Sequence, residues 1–203
     1  MRNIDKFRGC LIGGAAGDAL GYAVEFKRED EIFSEYGKDG ITEYDLILDD
    51  DVAEISDDTA EGMLLAVSKS NIPDYISSIR DMYKCWYQTQ SEKYPVQGTK
   101  HCSQLMRVPE LFHRRCPGTT CMTEIKAGAN GTVEVPINDS KGCGGVMRVA
   151  PIGLYFTDTD ISYEYSDMLA AEAAALTHGH DLGLHWCISS EQFQKAIYRS
   201  KLP

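Results

Sequence analysis

Positive charge is scarce in this sequence: Lys and Arg total 20 against 31 Asp and Glu, a formal net charge of −11. No basic field exists to gather phosphates along a strand, which excludes nucleic acid as a general partner, although local backbone N–H groups can still hold a small anion. A C-x-x-C pair is also absent. The seven cysteines (Cys10, Cys85, Cys102, Cys116, Cys121, Cys143, Cys187) are odd in number and irregularly spaced, which argues against a disulfide framework or a zinc site and for reduced intracellular thiols. No stretch approaches the ~20 apolar residues of a membrane span. Arg2, Lys6 and Arg8 ahead of the segment Cys10 to Ala16 imitate a signal peptide, but the apolar stretch is short, rich in glycine and interrupted by Asp18. These absences predict a cytoplasmic protein with no membrane partner. In that compartment the sequons Asn130-Gly131-Thr132 and Asn138-Asp139-Ser140 would go unread.

What is present suffices for one core, since 203 residues, 43% of them apolar, fit a single soluble globular domain. Residues 5 to 26 have a helical period that stacks Gly9, Gly13, Gly17 and Gly21 on one face. Each glycine costs a helix roughly 1 kcal/mol relative to alanine, so their recurrence predicts close approach of another backbone or of a ligand. Asp18, a lone acid among small residues, is expected to be hydrogen-bonded or functional. Residues 27 to 55 read as a surface connection with short helical turns, the triplet Asp49-Asp50-Asp51 being solvated.

A helix is predicted from Asp58 to about Ser70. Another opens at Pro73, with Ile76, Ile79, Met82, Tyr83 and Trp86 as its buried stripe, and Gln88 to Cys102 reads as polar loop. Ser103 caps a helix carrying Leu105 to Phe112, which Pro109 must bend or occupy in its first turn, and a short helix ends at Lys126 before Gly128 and Gly131. The last helix runs from about Ser162 to Leu176. Thr132 to Val135 could be extended, but one short strand makes no sheet, and the fold class is all-α.

Three segments could carry chemistry. Ser56-Asp57-Asp58-Thr59 packs two carboxylates and two hydroxyls into a helix start. A divalent cation held by oxygen ligands would offset their repulsion; equally, one of them caps the helix, with Glu61 completing a capping box. Ser140-Lys141-Gly142-Cys143-Gly144-Gly145 places unhindered backbone N–H groups ahead of a helix, as phosphate or pyrophosphate binding requires. It is no Walker loop, because Lys141 precedes the glycines, and it also reads as a flexible connector. Thr177-His178-Gly179-His180 ends the alanine-rich helix, where a histidine can meet the helix dipole or touch a ligand's sugar or phosphate.

In their order, Gly13-Gly14-Ala15-Ala16-Gly17-Asp18-Ala19-Leu20-Gly21 with Glu25, the Ser56 to Thr59 run, Gly142 to Gly153, and Thr177 to His180 resemble the ADP-ribosylglycohydrolases. That family includes the dinitrogenase reductase-activating glycohydrolase and the eukaryotic ADP-ribosylhydrolases. The resemblance, over roughly Phe7 to Leu184, implies a compact, orthogonally packed all-α domain at residues 1–184, shortened at its C-terminus, and a divergent tail at 185–203. It implies two Mg²⁺ or Mn²⁺ ions at the base of an ADP-ribose cleft, with Ser56, Asp57 and Asp58 as half of the metal site. Glu25, Asp57 and Asp58 would be catalytic, and Asp18, Ser140, Lys141, Gly142, Cys143, Gly144 and His178 would bind substrate.

The family's C-terminal D-x-D-T has no counterpart here. Asp158-Thr159-Asp160 is followed by Ile161 and precedes a helix that Asp160 or Ser162 is expected to cap. The implied reaction is hydrolysis of the glycosidic bond between ADP-ribose and a modified protein side chain or small molecule. The alternative is an ADP-ribose-binding module or an inactive remnant.

Overall fold

The computed structural model describes residues 4–46, 52–57, 59, 74–96, 103–156, 162–185 and 187–188. In chain order these form α1 (Ile4–Tyr22), α2 (Glu29–Tyr36), α3 (Tyr75–Ser91), two 3-10 turns (Gln104–Arg107 and Pro109–Leu111), α4 (Thr119–Lys126), α5 (Gly144–Met147), α6 (Ala150–Phe156) and α7 (Tyr163–Ala175). No sheet occurs among the described residues, as the all-α reading expects. The helix predicted from Asp58, the acidic triplet, Asp158 to Asp160 and most of the tail lie outside them.

The core forms where α7 packs against α3, α5 and α6, and α3 against α4. Alanine is what permits this closeness: Ala170, Ala173, Ala174 and Ala175 are almost wholly buried, and their short side chains let neighbouring helices approach. Ser162 caps α7, its side chain accepting from Tyr165 N at 3.3 Å. Asp74 caps α3 in the same way through Ser77 N at 3.1 Å. From there Ile79, Met82, Tyr83 and Trp86 face the core, the stripe the period predicts. α3 runs past Gln88 into the segment expected to be loop, because Thr89 and Gln90 are themselves buried against the core and Glu92 N still bonds Gln88 O at 2.8 Å.

Three further expectations change. Pro109, which lacks an N–H and disfavours helical geometry at Val108, splits the predicted bent helix into two 3-10 turns. On α1 only Ala19 is buried, and among the described residues nothing lies within 4 Å of a Cβ placed at Gly9, Gly13, Gly17 or Gly21. Among the described residues, then, no other backbone makes the close approach expected there. Cys85 is disulfide-bonded, so the thiols are not all reduced as their spacing suggests. No described helix is long and apolar enough to cross a membrane.

Candidate active site

Asp18, near the end of α1, joins the first two motifs. Its Oδ2 accepts from the backbone N–H of Ser56 at 2.9 Å and from the Thr59 hydroxyl. Ser56 and Asp57 are both buried, at 3% and 6% exposure, and the indole N–H of fully buried Trp86 donates to the Asp57 carbonyl at 3.1 Å. The turn is thus pinned from α1 and from α3. Glu25, just past α1, stands exposed at its edge, and partial desolvation followed by the charge of Asp18 holds its carboxyl above the usual range. Asp58 lies outside the described residues.

A cation sits among these acids. Arg115 is 4% exposed, with Nε 3.7 Å from Glu54 Oε1 and the charges of Asp18 and Asp57 also acting on it. Its Nη1 donates to Leu111 O at 3.2 Å, its Nη2 to Glu110 O, and its backbone N–H to Gln90 Oε1 at 2.9 Å. Glu54 also pairs with His113. Burial, then a hydrogen bond with Cys116, pushes the Tyr22 phenol up, with the charges of Glu54 and Glu25 adding to the shift.

The glycine loop and the histidine motif meet at Asn138. Its amide Nδ2 donates to Thr177 O at 2.9 Å and Glu124 Oε1 at 3.2 Å, while its Oδ1 accepts from Ser140 N at 3.0 Å and Gly179 N at 3.1 Å. Ser140 Oγ shares a hydrogen bond with Thr120 at 3.0 Å. Buried His178 underlies the loop, and a side chain there would crowd its neighbours: a Cβ on Gly142 would stand 3.1 Å from His178 Nε2, and one on Gly144 2.9 Å from Cys121 Sγ. Lys141, Gly142 and Cys143 are exposed and, with Val146, Met147, Leu182 and Gly183, line a pocket of about 470 Å³.

α3 is the wall common to both clusters. Trp86 holds Asp57, while Tyr83, one helical turn earlier, lies under the Arg148 guanidinium at 4.2 Å. The profile of a family described as ADP-ribosylglycohydrolase matches residues 1–198. The chain belongs to that family. An uncharacterized protein of Archaeoglobus fulgidus is 30% identical over 176 residues, covering 86% of this chain and 50% of its own length, so the chain spans about half of that relative. No solved structure matches significantly.

The two Mg²⁺ or Mn²⁺ ions expected of an ADP-ribosylglycohydrolase can be tested against these residues. Ser56, Asp57, Thr59, Asp18 and Glu25 offer only oxygen, the donor class hard divalent ions take. Among the described residues, however, no three His, Cys, Asp or Glu side chains converge to hold a metal. The donor chemistry fits, and the described carboxylates do not by themselves complete a site.

Sequence reasoning missed Glu54, Arg115, Asn138 and the role of Arg148. A lone arginine in the run Val146-Met147-Arg148-Val149-Ala150 is a readable sign of a buried, partnered cation. Asn138 was legible only as part of a sequon. Replacing it by alanine strands a Glu124 oxygen and the Ser140 and Gly179 amides, and should cost about 2 kcal/mol in urea unfolding; an unchanged midpoint would show the loop to be held by other contacts.

Burial, then the nearby charge of Arg148, lowers the His178 pKa from 6.5 to about 4. The unfolded chain therefore binds this proton first as pH falls, so the contribution is intact above 6.5 and is lost on acidification towards 4. The loss is on the order of 3 kcal/mol at about 1.4 kcal/mol per unit. Urea midpoints measured across that window should fall steeply for the wild type and less for His178→Gln; parallel curves would contradict the assignment.

Proposed function

We propose that the protein hydrolyses the glycosidic bond between ADP-ribose and an acceptor, either a protein side chain or a small molecule, with divalent metal ions. Besides family membership, the supporting observation is Asp18 binding Ser56 and Thr59, which sets buried Asp57 in one acidic cluster. In this reading Ser56, Asp57 and Asp58 hold Mg²⁺ or Mn²⁺, which when bound supplies positive charge for ribose oxygens and for a water. Glu25 retains its proton to higher pH than an ordinary carboxyl, which suits a group that exchanges protons with the water or the leaving oxygen or nitrogen. The Ser140 to Gly144 loop offers N–H groups to the pyrophosphate, and Lys141 adds charge at the pocket rim. Bond cleavage through an oxocarbenium-like state follows the general chemistry of glycosides.

A second reading is an ADP-ribose-binding module without turnover, supported by the exposed Lys141, Gly142 and Cys143 at the rim of a pocket that offers backbone N–H groups and a positive charge to an anion. Calorimetry with ADP-ribose, with and without Mg²⁺ or Mn²⁺, combined with chromatographic detection of ADP-ribose released from modified protein, separates the two. Release that depends on the metal supports the hydrolase. Affinity without release supports the module, and no affinity overturns both.

A further inference from the structure

The indole of Trp86 has one hydrogen-bond donor and no acceptor. That donor goes to a main-chain atom of the acidic turn, the Asp57 carbonyl, at 3.1 Å. Trp86 is fully buried, so water is not at hand to replace the bond if it is lost. The helix behind the indole is itself tied down: the Thr89 hydroxyl donates to Trp86 O at 2.7 Å, and Gln90, one turn further on, accepts from Arg115 N at 2.9 Å. On the α1 side, the Ser56 N–H and the Thr59 hydroxyl both donate to one atom, Asp18 Oδ2. Two bonds that converge on a single oxygen make a pivot, about which the turn can still swing. The bond to Trp86 adds a second point of attachment, from a different helix, and opposes that rotation.

We infer that Trp86 is a positioning residue for divalent-cation binding at this turn, acting through the Asp57 main chain and not by touching the ion. The inference rests on the metal reading proposed above. Acidic side chains gathered to receive a cation repel one another until it arrives, and a turn free to swing relieves that repulsion by moving its carboxylate away. An anchor on a packed helix holds the geometry beforehand, which a donor on a loop would do less well. Trp86→Phe keeps an aromatic ring in the core and removes the donor, and should weaken Mn²⁺ binding about 10-fold, the scale on which groups that orient metal ligands act. Tyr83→Phe is the matched comparison. It lies one turn earlier on α3, is equally buried, and loses the hydroxyl that donates to Ala173 O at 3.3 Å, a bond remote from the acidic turn.

Titration with Mn²⁺, the free ion being followed by electron paramagnetic resonance, tests this without any turnover. The expected order is wild type and Tyr83→Phe alike, with Trp86→Phe about 10-fold weaker. Equal affinity in the wild type and Trp86→Phe overturns the role of Trp86 and leaves the metal reading standing. Equal weakening in both variants also overturns it, because the loss then follows from loosening α3 in general. A wild type that binds no Mn²⁺ removes the metal reading, and the positioning role with it, before any variant is made. If Trp86→Phe fails to fold, the wild type decides through the indole proton–nitrogen signals of protein labelled with ¹⁵N-tryptophan. The sequence has two tryptophans, so Trp186→Phe assigns them. The Trp86 Nε1–H signal should shift as Mg²⁺ is added, and a signal unmoved at saturating Mg²⁺ overturns the proposal.

Discussion

Asp57→Asn combined with Asp58→Asn should lower metal-dependent release of ADP-ribose by about 100-fold or more, the scale on which charged catalytic groups act. Asparagine keeps the shape of aspartate and removes its charge. Three contacts that shape the turn do not use the Asp57 carboxylate: Trp86 binds the Asp57 main-chain carbonyl, and Asp18 takes the Ser56 amide and the Thr59 hydroxyl. All three survive the substitution. The variant should therefore melt within a few degrees of the wild type while losing turnover, and it should still bind ADP-ribose through the separate glycine loop. Unchanged release would refute the metal assignment at these residues, whereas a collapsed melting temperature would make the aspartates structural.

How well each feature could be read from the chain depended on how local its cause is. α3 and α7 were legible because a stripe at helical spacing, a proline start at Pro73 and a cap at Ser162 act within a few residues, although Asp74 rather than Pro73 is what opens α3. The acidic run and the glycine loop stood out for the same reason. What joins them could not be read this way. The bond from Ser56 to Asp18 spans 38 residues, and that from Gly179 to Asn138 spans 41, so no local period encodes either. Arg115 sits among the polar neighbours His113, Arg114 and Cys116 and looks like surface, whereas the apolar run around Arg148 does betray burial. The α1 glycines show the converse, since a regular stripe suggested a contact that the described residues do not make.

Arg115→Met should cost about 3–5 kcal/mol in urea unfolding at pH 7, because it removes one side of a buried charge cluster and leaves the other uncompensated. Arg115 has 4% exposure, and Leu111 O and Glu110 O both depend on its guanidinium. Desolvation draws its pKa down while the carboxylates of Glu54, Asp18 and Asp57 oppose that pull, so the acids compensate the cation as the cation compensates them. Among the described residues its Nε has no hydrogen-bond partner and lies 3.7 Å from Glu54 Oε1, which makes that contact chiefly electrostatic. Arg115→Lys retains the charge but loses the forked pair of bonds, and should recover about half of the loss. If lysine recovers nothing, the hydrogen bonds to the 3-10 turn dominate and charge is secondary. If methionine costs less than about 1 kcal/mol, the acids are adequately solvated without a cation, and the electrostatic reason for placing a divalent ion beside Asp57 disappears with it.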